Sequence, residues 1–309
     1  MKKDFLSITD IDGYELESIV ADAMYLKRLK STGTPHEFLR GKSLGMIFEK
    51  ASTRTRVSFE VGMTDFGGHA LFLNPADLQL GRGEAIKDTA RTLARYTDAV
   101  MIRAYSHATV EEFARYSTVP VVNGLSDRLH PCQVLSDIMT LNERFGDLQD
   151  LKLAWVGDGN NVCNTWLLSA AMTGMEIVVA SPPRYRPRDA LVDQARAAGG
   201  RITITADPAE AVRDADVLYT DIWVSMGDEK ERTERMQALR DYTVDSRLLA
   251  RAPPDALVMH CLPAHRGEEI TDEVIDGPQS IVWDQAENRL HAQKALLLRL
   301  IAGGMPATE

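Results

Sequence analysis

Cysteine is scarce in this chain. Cys132, Cys163 and Cys261 are three in 309 residues, odd in number, widely spaced and without a C-x-x-C pair. That excludes a disulfide framework and a cysteine-rich zinc site. No apolar run approaches the roughly 20 residues of a membrane-spanning helix. Positive charge is also in deficit: 35 Lys and Arg against 45 Asp and Glu give a formal net charge of −10. A nucleic acid or an anionic membrane is therefore not expected as the main partner. Acids at Asp4, Asp10 and Asp12 come too early for the apolar region of a signal peptide. Together these absences predict a cytoplasmic protein with reduced thiols, in which any anionic substrate is held by a local basic cluster.

What is present is an ordinary globular composition, 44% apolar and 26% charged, in a chain long enough for two separate cores. No internal repeat or low-complexity tract interrupts it. Apolar positions Leu16, Ile19, Val20 and Ala23 predict an amphipathic helix after Thr9-Asp10. Strands are predicted in the apolar piece 43–51 and at 70–73, 99–102 and 119–122, with helices from about Ser52, at 89–96, at 110–115 and from Pro131 to about Phe145. Residues 74–88 read as a surface loop. Past Gly146-Asp147 the alternation restarts, with strands at 152–156, 177–180, 202–205, 217–220, 257–260 and 281–283. Helices are placed at 165–173, 191–198 and 209–213, and a last helix at about 290–301. Strands alternating with helices imply an α/β architecture of two doubly wound parallel-sheet domains, with ligands at the carboxyl ends of strands in a cleft between them.

The most informative segment is Ser52-Thr53-Arg54-Thr55-Arg56. It comes after an apolar strand and precedes Phe59, Met63 and Phe66, which share one helix face. Unpaired N–H groups at a helix start favour an anion, and an arginine fork matches two phosphate oxygens. Ser and Thr also cap helices without binding anything. Capping does not account for two arginines where the helix dipole disfavours cations, so an oxyanion site is the better explanation. Alternation turns Arg56 away, towards internal ion pairs. Arg103 ends another strand and adds a third guanidinium. His130 stands directly before Pro131 at a helix start, which aims its imidazole at the same region and leaves Gln133 on the first turn.

Further strand ends carry polar clusters. Gly157-Asp158-Gly159-Asn160-Asn161 invites a dinucleotide reading, but Val162 stands where a third glycine is needed and Ser181-Pro182-Pro183 where the ribose acid is needed. The turn instead offers Asn160 and Asn161 as amide hydrogen-bonders. Asp221 to Gly227 offers a carboxylate, the Ser225 hydroxyl and free N–H groups, suited to a ligand with both an ammonium and a carboxylate. His260, Cys261 and His265 could be taken for metal ligands. Adjacent strand residues point to opposite faces, so no metal site is expected.

These motifs in this order resemble the ornithine carbamoyltransferases of the aspartate/ornithine carbamoyltransferase family. The likeness runs from Phe48-Glu49-Lys50 and Ser-Thr-Arg-Thr-Arg through Gln79-Leu80-Gly81-Arg82-Gly83-Glu84, Met101-Ile102-Arg103 and His130-Pro131-Cys132-Gln133. It continues through the Gly157 turn and Ser225-Met226-Gly227 to His260-Cys261-Leu262-Pro263-Ala264 and Ala286-Glu287-Asn288-Arg289. The resemblance implies a carbamoyl-phosphate domain at 1–134 joined by a C-terminal helix at 290–309, and an ornithine domain at 135–289. It implies carbamoyl-phosphate contacts from Ser52, Thr53, Arg54, Thr55, Gln79, Arg103, His130, Gln133, Cys261, Leu262 and Arg289. Ornithine would be met by Asn161, Asp221, Ser225 and Met226. Arg54, Arg103, His130 and Cys261 would be catalytic, with no metal or organic cofactor. Gln79 would reach a neighbouring subunit, making the active unit a homotrimer or a multiple of trimers. The implied reaction is transfer of the carbamoyl group to the δ-amine of ornithine, giving citrulline and phosphate, as in arginine biosynthesis or a urea-cycle-type step. Transfer to another amine, such as putrescine or acetylornithine, is the alternative enzyme reading. A binding protein on the same fold would be expected to have lost Arg54, His130 or Cys261.

Overall fold

The computed structural model describes residues 3–74, 76, 78–79, 83–224 and 229–306; Ser225 and Met226 lie outside the described residues. The chain divides into two compact units, Met1–Thr140 with Glu287–Glu309, and Leu141–Ala286.

The first unit begins with α1 (Gly13–Ser31), whose N-cap Asp12 and Glu15 satisfy each other's backbone N–H groups while Leu16, Ile19, Val20, Ala23 and Leu26 are buried. There follow β1 (Ser43–Phe48), α2 (Thr53–Asp65), β2 (His69–Leu73), α3 (Ile86–Leu93), β3 (Ala99–Arg103), α4 (His107–Tyr116), β4 (Val121–Leu125) and α5 (Pro131–Phe145). The strands form one parallel sheet in the order β2-β1-β3-β4. β1 and β3 are apolar almost throughout and buried, as strands covered on both faces must be. Chain order reverses between β1 and β3, so the loops leaving these two strands diverge and open a crevice at their carboxyl ends. Phe48 and Arg103 are register partners there.

The second unit comprises β5 (Lys152–Val156), α6 (Asn161–Thr173), β6 (Glu176–Ala180), α7 (Asp189–Ala197), β7 (Arg201–Thr205), α8 (Pro208–Val212), β8 (Val217–Thr220), α9 (Arg232–Leu239), α10 (Ser246–Leu249), β9 (Leu257–His260) and α11 (Asp272–Ile275). Its parallel sheet has the order β7-β6-β5-β8-β9, with the reversal between β5 and β8. Trp155 and Tyr219 stack at 5.0 Å between ring centroids across that junction, both fully buried.

The chain closes with α12 (Val282–Ala302), most of which belongs to the first unit. Lys294 is fully buried, yet its ammonium reaches Asp65 Oδ2 at 2.9 Å and His36 Nε2 at 2.5 Å and lies over the Phe66 ring. Asn288 donates to Thr140 Oγ1 at 3.0 Å and accepts from Lys27 at 2.9 Å. These bonds fasten the helix to α1, α2 and α5.

Several predicted elements shift. The predicted strand 281–283 does not form: Val282 and Trp283 open α12, and Ile281 precedes it. Ser280 forms a single bridge to Val258, after which Ile281, Val282 and Gln285 are buried while Trp283 is exposed. That is a helical rhythm, not alternation, and α12 starts eight residues before the predicted one. α3 begins at Ile86, so the loop is shorter than 74–88. α6 begins at Asn161, four residues early, because the Asn160 carboxamide oxygen accepts from Val162 N and Cys163 N and sets the helix start. The short helices α9, α10 and α11 had no periodic signal long enough to predict them.

Candidate active site

In the first unit the start of α2 is built as the sequence suggests. Ser52 is the N-cap, its hydroxyl accepting from Thr55 N at 3.2 Å. Thr53 is exposed, Arg54 half-buried and Thr55 buried. Arg56 points outward into an ion pair with Glu60 at 2.9 Å, its guanidinium 3.7 Å from the centre of the Phe72 ring. Arg103 is buried at the end of β3. Its carbonyl accepts from Glu49 N at 2.9 Å, and the Glu49 carboxylate returns to Tyr105 N at 2.8 Å, joining the loops that leave β1 and β3.

His130 precedes Pro131 at the start of α5, and its carbonyl accepts from Gln133 N and Val134 N. Its imidazole is held well below the usual histidine range by burial first, and then by the positive charges of Arg289, Arg103 and Arg54. A neutral imidazole among three guanidinium groups can donate a proton-bearing nitrogen without adding charge. Arg289 is buried, and three of its donors are engaged: Nη1 to Gln133 Oε1 at 2.6 Å, Nη2 to Thr55 Oγ1 at 3.2 Å and Nε to Gln293 Oε1 at 3.1 Å. Gln133 in turn donates Nε2–H to Asp137 Oδ1 at 2.8 Å, and Gln293 exchanges hydrogen bonds with Ser58 at 2.9–3.0 Å. The unit thus gathers Ser52, Arg54, Thr55, Arg103, His130, Gln133 and Arg289 on elements that meet at one sheet edge. Gln79 is exposed on the segment after β2.

The second unit carries a different chemistry. Gly157 adopts φ +126°, open to glycine alone among ordinary residues. A Cβ on Gly159 would lie 2.3 Å from Pro187 N. Both glycines answer to backbone geometry. Asp158 is buried and paired with Arg235 at 3.0 Å; Arg235 also donates to the Trp223 carbonyl at 3.2 Å. Asn160, expected to offer its amide to a ligand, spends it within the protein: Oδ1 caps α6 and Nδ2 donates to Asp221 Oδ2 at 2.6 Å. Asn161 is half-buried at the first position of α6.

Asp221 comes directly after β8. Burial raises its carboxyl pKa, opposed by His260, by the Cys261 thiol and the Ile222 N–H that hydrogen-bond to it, and by Asn160. His260 Nδ1 accepts from Leu262 N at 2.8 Å and Nε2 lies 3.1 Å from Glu269 Oε1, so Nε2 carries the proton. Cys261 is half-buried, whereas burial raises the thiols of Cys132, to about 12, and of Cys163. The expectation that adjacency would turn His260 and Cys261 apart is corrected. β9 ends at His260, alternation ends with it, and the ligating atoms of Asp221, His260 and Cys261 lie within 4.8 Å of one another. Each is already engaged by protein hydrogen bonds. Leu262 has φ +56° and, like Cys261, belongs to this second unit.

Residues that pattern-reading missed include Asp137 and Gln293, although each sits four residues beyond a predicted partner on one helix face, a legible spacing. Glu269 and Gln285, which accepts from His260 N at 3.0 Å, carry no such signal.

Residues 149–300 match the model of the aspartate/ornithine carbamoyltransferase Asp/Orn-binding domain, and residues 3–143 that of the carbamoyl-P-binding domain. The ornithine carbamoyltransferase of Methanoculleus marisnigri is 84% identical over 309 residues, the full length of both chains. That of Methanocorpusculum labreanum is 57% identical, covering 98% of this chain and all of the other. The solved ornithine carbamoyltransferase from Pyrococcus furiosus superposes with a TM-score of 0.93 at 51% identity, covering 99% of this chain and 98% of that one. A cluster of guanidinium groups around a buried imidazole on one parallel sheet, a carboxylate–thiol–imidazole cluster on another and full-length likeness to proteins of one kind lead to a single conclusion: the chain belongs to the aspartate/ornithine carbamoyltransferase family.

Proposed function

We propose that the chain is an ornithine carbamoyltransferase, forming citrulline and phosphate from carbamoyl phosphate and L-ornithine without a metal or organic cofactor. The observation that carries this reading is the neutral His130 set among Arg54, Arg103 and Arg289, beside the capped start of α2. Ser52, Thr53 and Arg54 suit the phosphate oxygens. Thr55, Arg103 and His130 suit the carbamoyl oxygen, where negative charge grows as the carbonyl carbon becomes tetrahedral; stabilising that charge is usually the largest catalytic contribution. Gln133, Leu262 and Arg289 complete the carbamoyl-phosphate contacts.

The acceptor must attack as a neutral amine, whereas a free alkylammonium has a pKa near 10.4. Asp221 and Cys261 orient the amine and assist loss of its first proton. Attack forms the N–C bond. Collapse breaks the bond between carbon and the phosphoryl oxygen, the second amine proton leaves with the phosphate, and Arg54 and Arg103 offset the charge of the departing group. On the ornithine side, Asp221 takes the α-ammonium, Ser225 and Met226 the α-carboxylate, and Asn161 a further polar contact. The names of the full-length relatives favour ornithine over other amines. The working unit is a cytoplasmic homotrimer, or a multiple of one, in which Gln79 completes a neighbour's site, and the reaction serves arginine biosynthesis.

The test is citrulline formation measured with ornithine, putrescine, acetylornithine and aspartate as acceptors. Ornithine should exceed the others by orders of magnitude in kcat/KM, because a site built to bind both α-groups leaves buried polar atoms unpaired when either is missing. Comparable turnover of another amine refutes the ornithine assignment, and no carbamoyl transfer to any amine refutes the enzyme reading.

A further inference from the structure

Asp137 is fully buried on α5, one turn beyond Gln133, and no step of the proposed reaction uses it. A carboxylate offers only acceptors, so it takes the Nε2–H of Gln133 at 2.8 Å and thereby decides which end of that amide faces the other way. The end that does so is Oε1, 2.6 Å from Arg289 Nη1. Turned over, the amide would set its NH₂ against guanidinium donors. Arg289 cannot readily swing aside to relieve this, since Gln293 and Thr55 hold its other nitrogens. We propose that Asp137 is a positioning residue for the carbamoyl group: through Gln133 it presents a carbonyl oxygen, with one lone pair on Arg289 and the other available to the N–H of the substrate's carboxamide.

The proposal rests on the carbamoyl-phosphate reading and deepens it by assigning the sense of one hydrogen bond. It is tested by calorimetric titration of the full chain with two probes. Phosphonoacetamide carries the carboxamide and the phosphoryl oxygens; inorganic phosphate carries only the latter. Asp137→Ala, which removes the acceptor that an asparagine would keep, should weaken phosphonoacetamide by about tenfold or more, the usual worth of a hydrogen bond whose geometry is lost, and leave phosphate within about threefold. Gln133→Glu alone sets two carboxylates face to face and should weaken phosphonoacetamide at least as much. The double variant Gln133→Glu/Asp137→Asn restores the pairing with donor and acceptor exchanged. The amide introduced at position 137 then donates, the carboxylate introduced at position 133 accepts from it and from Arg289, and affinity should return to within about fivefold of the parent.

A merely structural Asp137 would not show this rescue. The proposal is overturned by equal loss of both probes in Asp137→Ala, by no loss of phosphonoacetamide in that variant, or by a double variant no better than Gln133→Glu. A parent chain that binds phosphonoacetamide but forms no citrulline overturns the proposed reaction while leaving the positioning role measurable. Failure of the parent to bind phosphonoacetamide overturns both.

Discussion

Replacing Arg289 by Met keeps the bulk of a buried side chain and deletes its guanidinium. Three acceptors lose a donor: Gln133 Oε1, Thr55 Oγ1 and Gln293 Oε1. Gln293 Oε1 still accepts from the Ser58 hydroxyl at 3.0 Å, so its loss is the smallest. Gln133 Oε1, at 2.6 Å the shortest of the three contacts, is the most exposed to the change. An orphaned buried acceptor costs about 1–3 kcal/mol, and removing a buried charge returns part of its desolvation cost, so a net loss of about 2–4 kcal/mol is expected. Urea unfolding followed by tryptophan fluorescence and by far-ultraviolet circular dichroism measures it. Activity should suffer more than stability. With one cation gone and Gln133 released, kcat/KM for carbamoyl phosphate should fall by a factor of about 100 or more, and Arg289→Lys, which keeps charge but not the fork, should recover only part. An Arg289→Met enzyme with kcat/KM within about threefold of the parent would refute the reasoning, because the network would then be structural only.

Arg54→Ala should abolish turnover with a Tm within a few degrees of the parent, since the half-buried side chain is charged where the helix dipole disfavours cations; near-normal activity at saturating carbamoyl phosphate would remove the oxyanion assignment. Gln79→Ala and Arg54→Ala chains, each inactive alone, should regain activity on mixing, and none after verified subunit exchange would mean that each chain builds its own site. Stability should fall with acid: burial and nearby lysines lower the pKa of His291 from 6.5 to about 3, so below pH 6.5 the unfolded chain takes up a proton that the folded chain refuses. That removes about 1.4 kcal/mol per pH unit down to about pH 3, and His291→Gln should flatten the slope between about pH 6 and 4. His130 shifts in the same direction and adds to the loss as pH falls below the ordinary histidine range.

Much of this was legible in the sequence for a definite reason. Strand ends carry motifs because a parallel sheet delivers its loops to one edge, so Arg54, Arg103, His130 and Asp221 could be placed by finding buried apolar runs and reading the residues just beyond them. Asn160 shows where such reading stops. An asparagine beside a turn is equally a ligand and a cap, and only the helix it starts, four residues earlier than predicted, decides between them. Ile281-Val282-Trp283 looked like a strand because three large apolar residues fit both periods, and the burial of Gln285 needed a partner, Tyr219, 66 residues away. Glu269 was invisible for the same reason: its meaning comes from His260, and nothing in the spacing between them marks a pair. The exchange of roles along α12, where Arg289 and Gln293 face one network and Lys294 another, is likewise set by neighbours distant in sequence.

The discontinuity of the first unit imposes an order on biosynthesis. Residues 141–286 form a contiguous unit and can close on themselves as soon as they leave the ribosome. The unit that begins first must wait, because α12 supplies Arg289 and the buried Lys294 only after residues 141–286 have been made. At about 5–20 residues per second, the N-terminal segment spends on the order of 10–30 seconds without the helix that fills its core and carries Arg289. Nascent chains of this protein are therefore expected to display the reverse of the usual vectorial sequence, with the middle maturing before the beginning. If Arg289 contacts carbamoyl phosphate as proposed, binding reports that synthesis has passed α12: a chain released before Arg289 lacks the guanidinium on which Thr55, Gln133 and Gln293 converge.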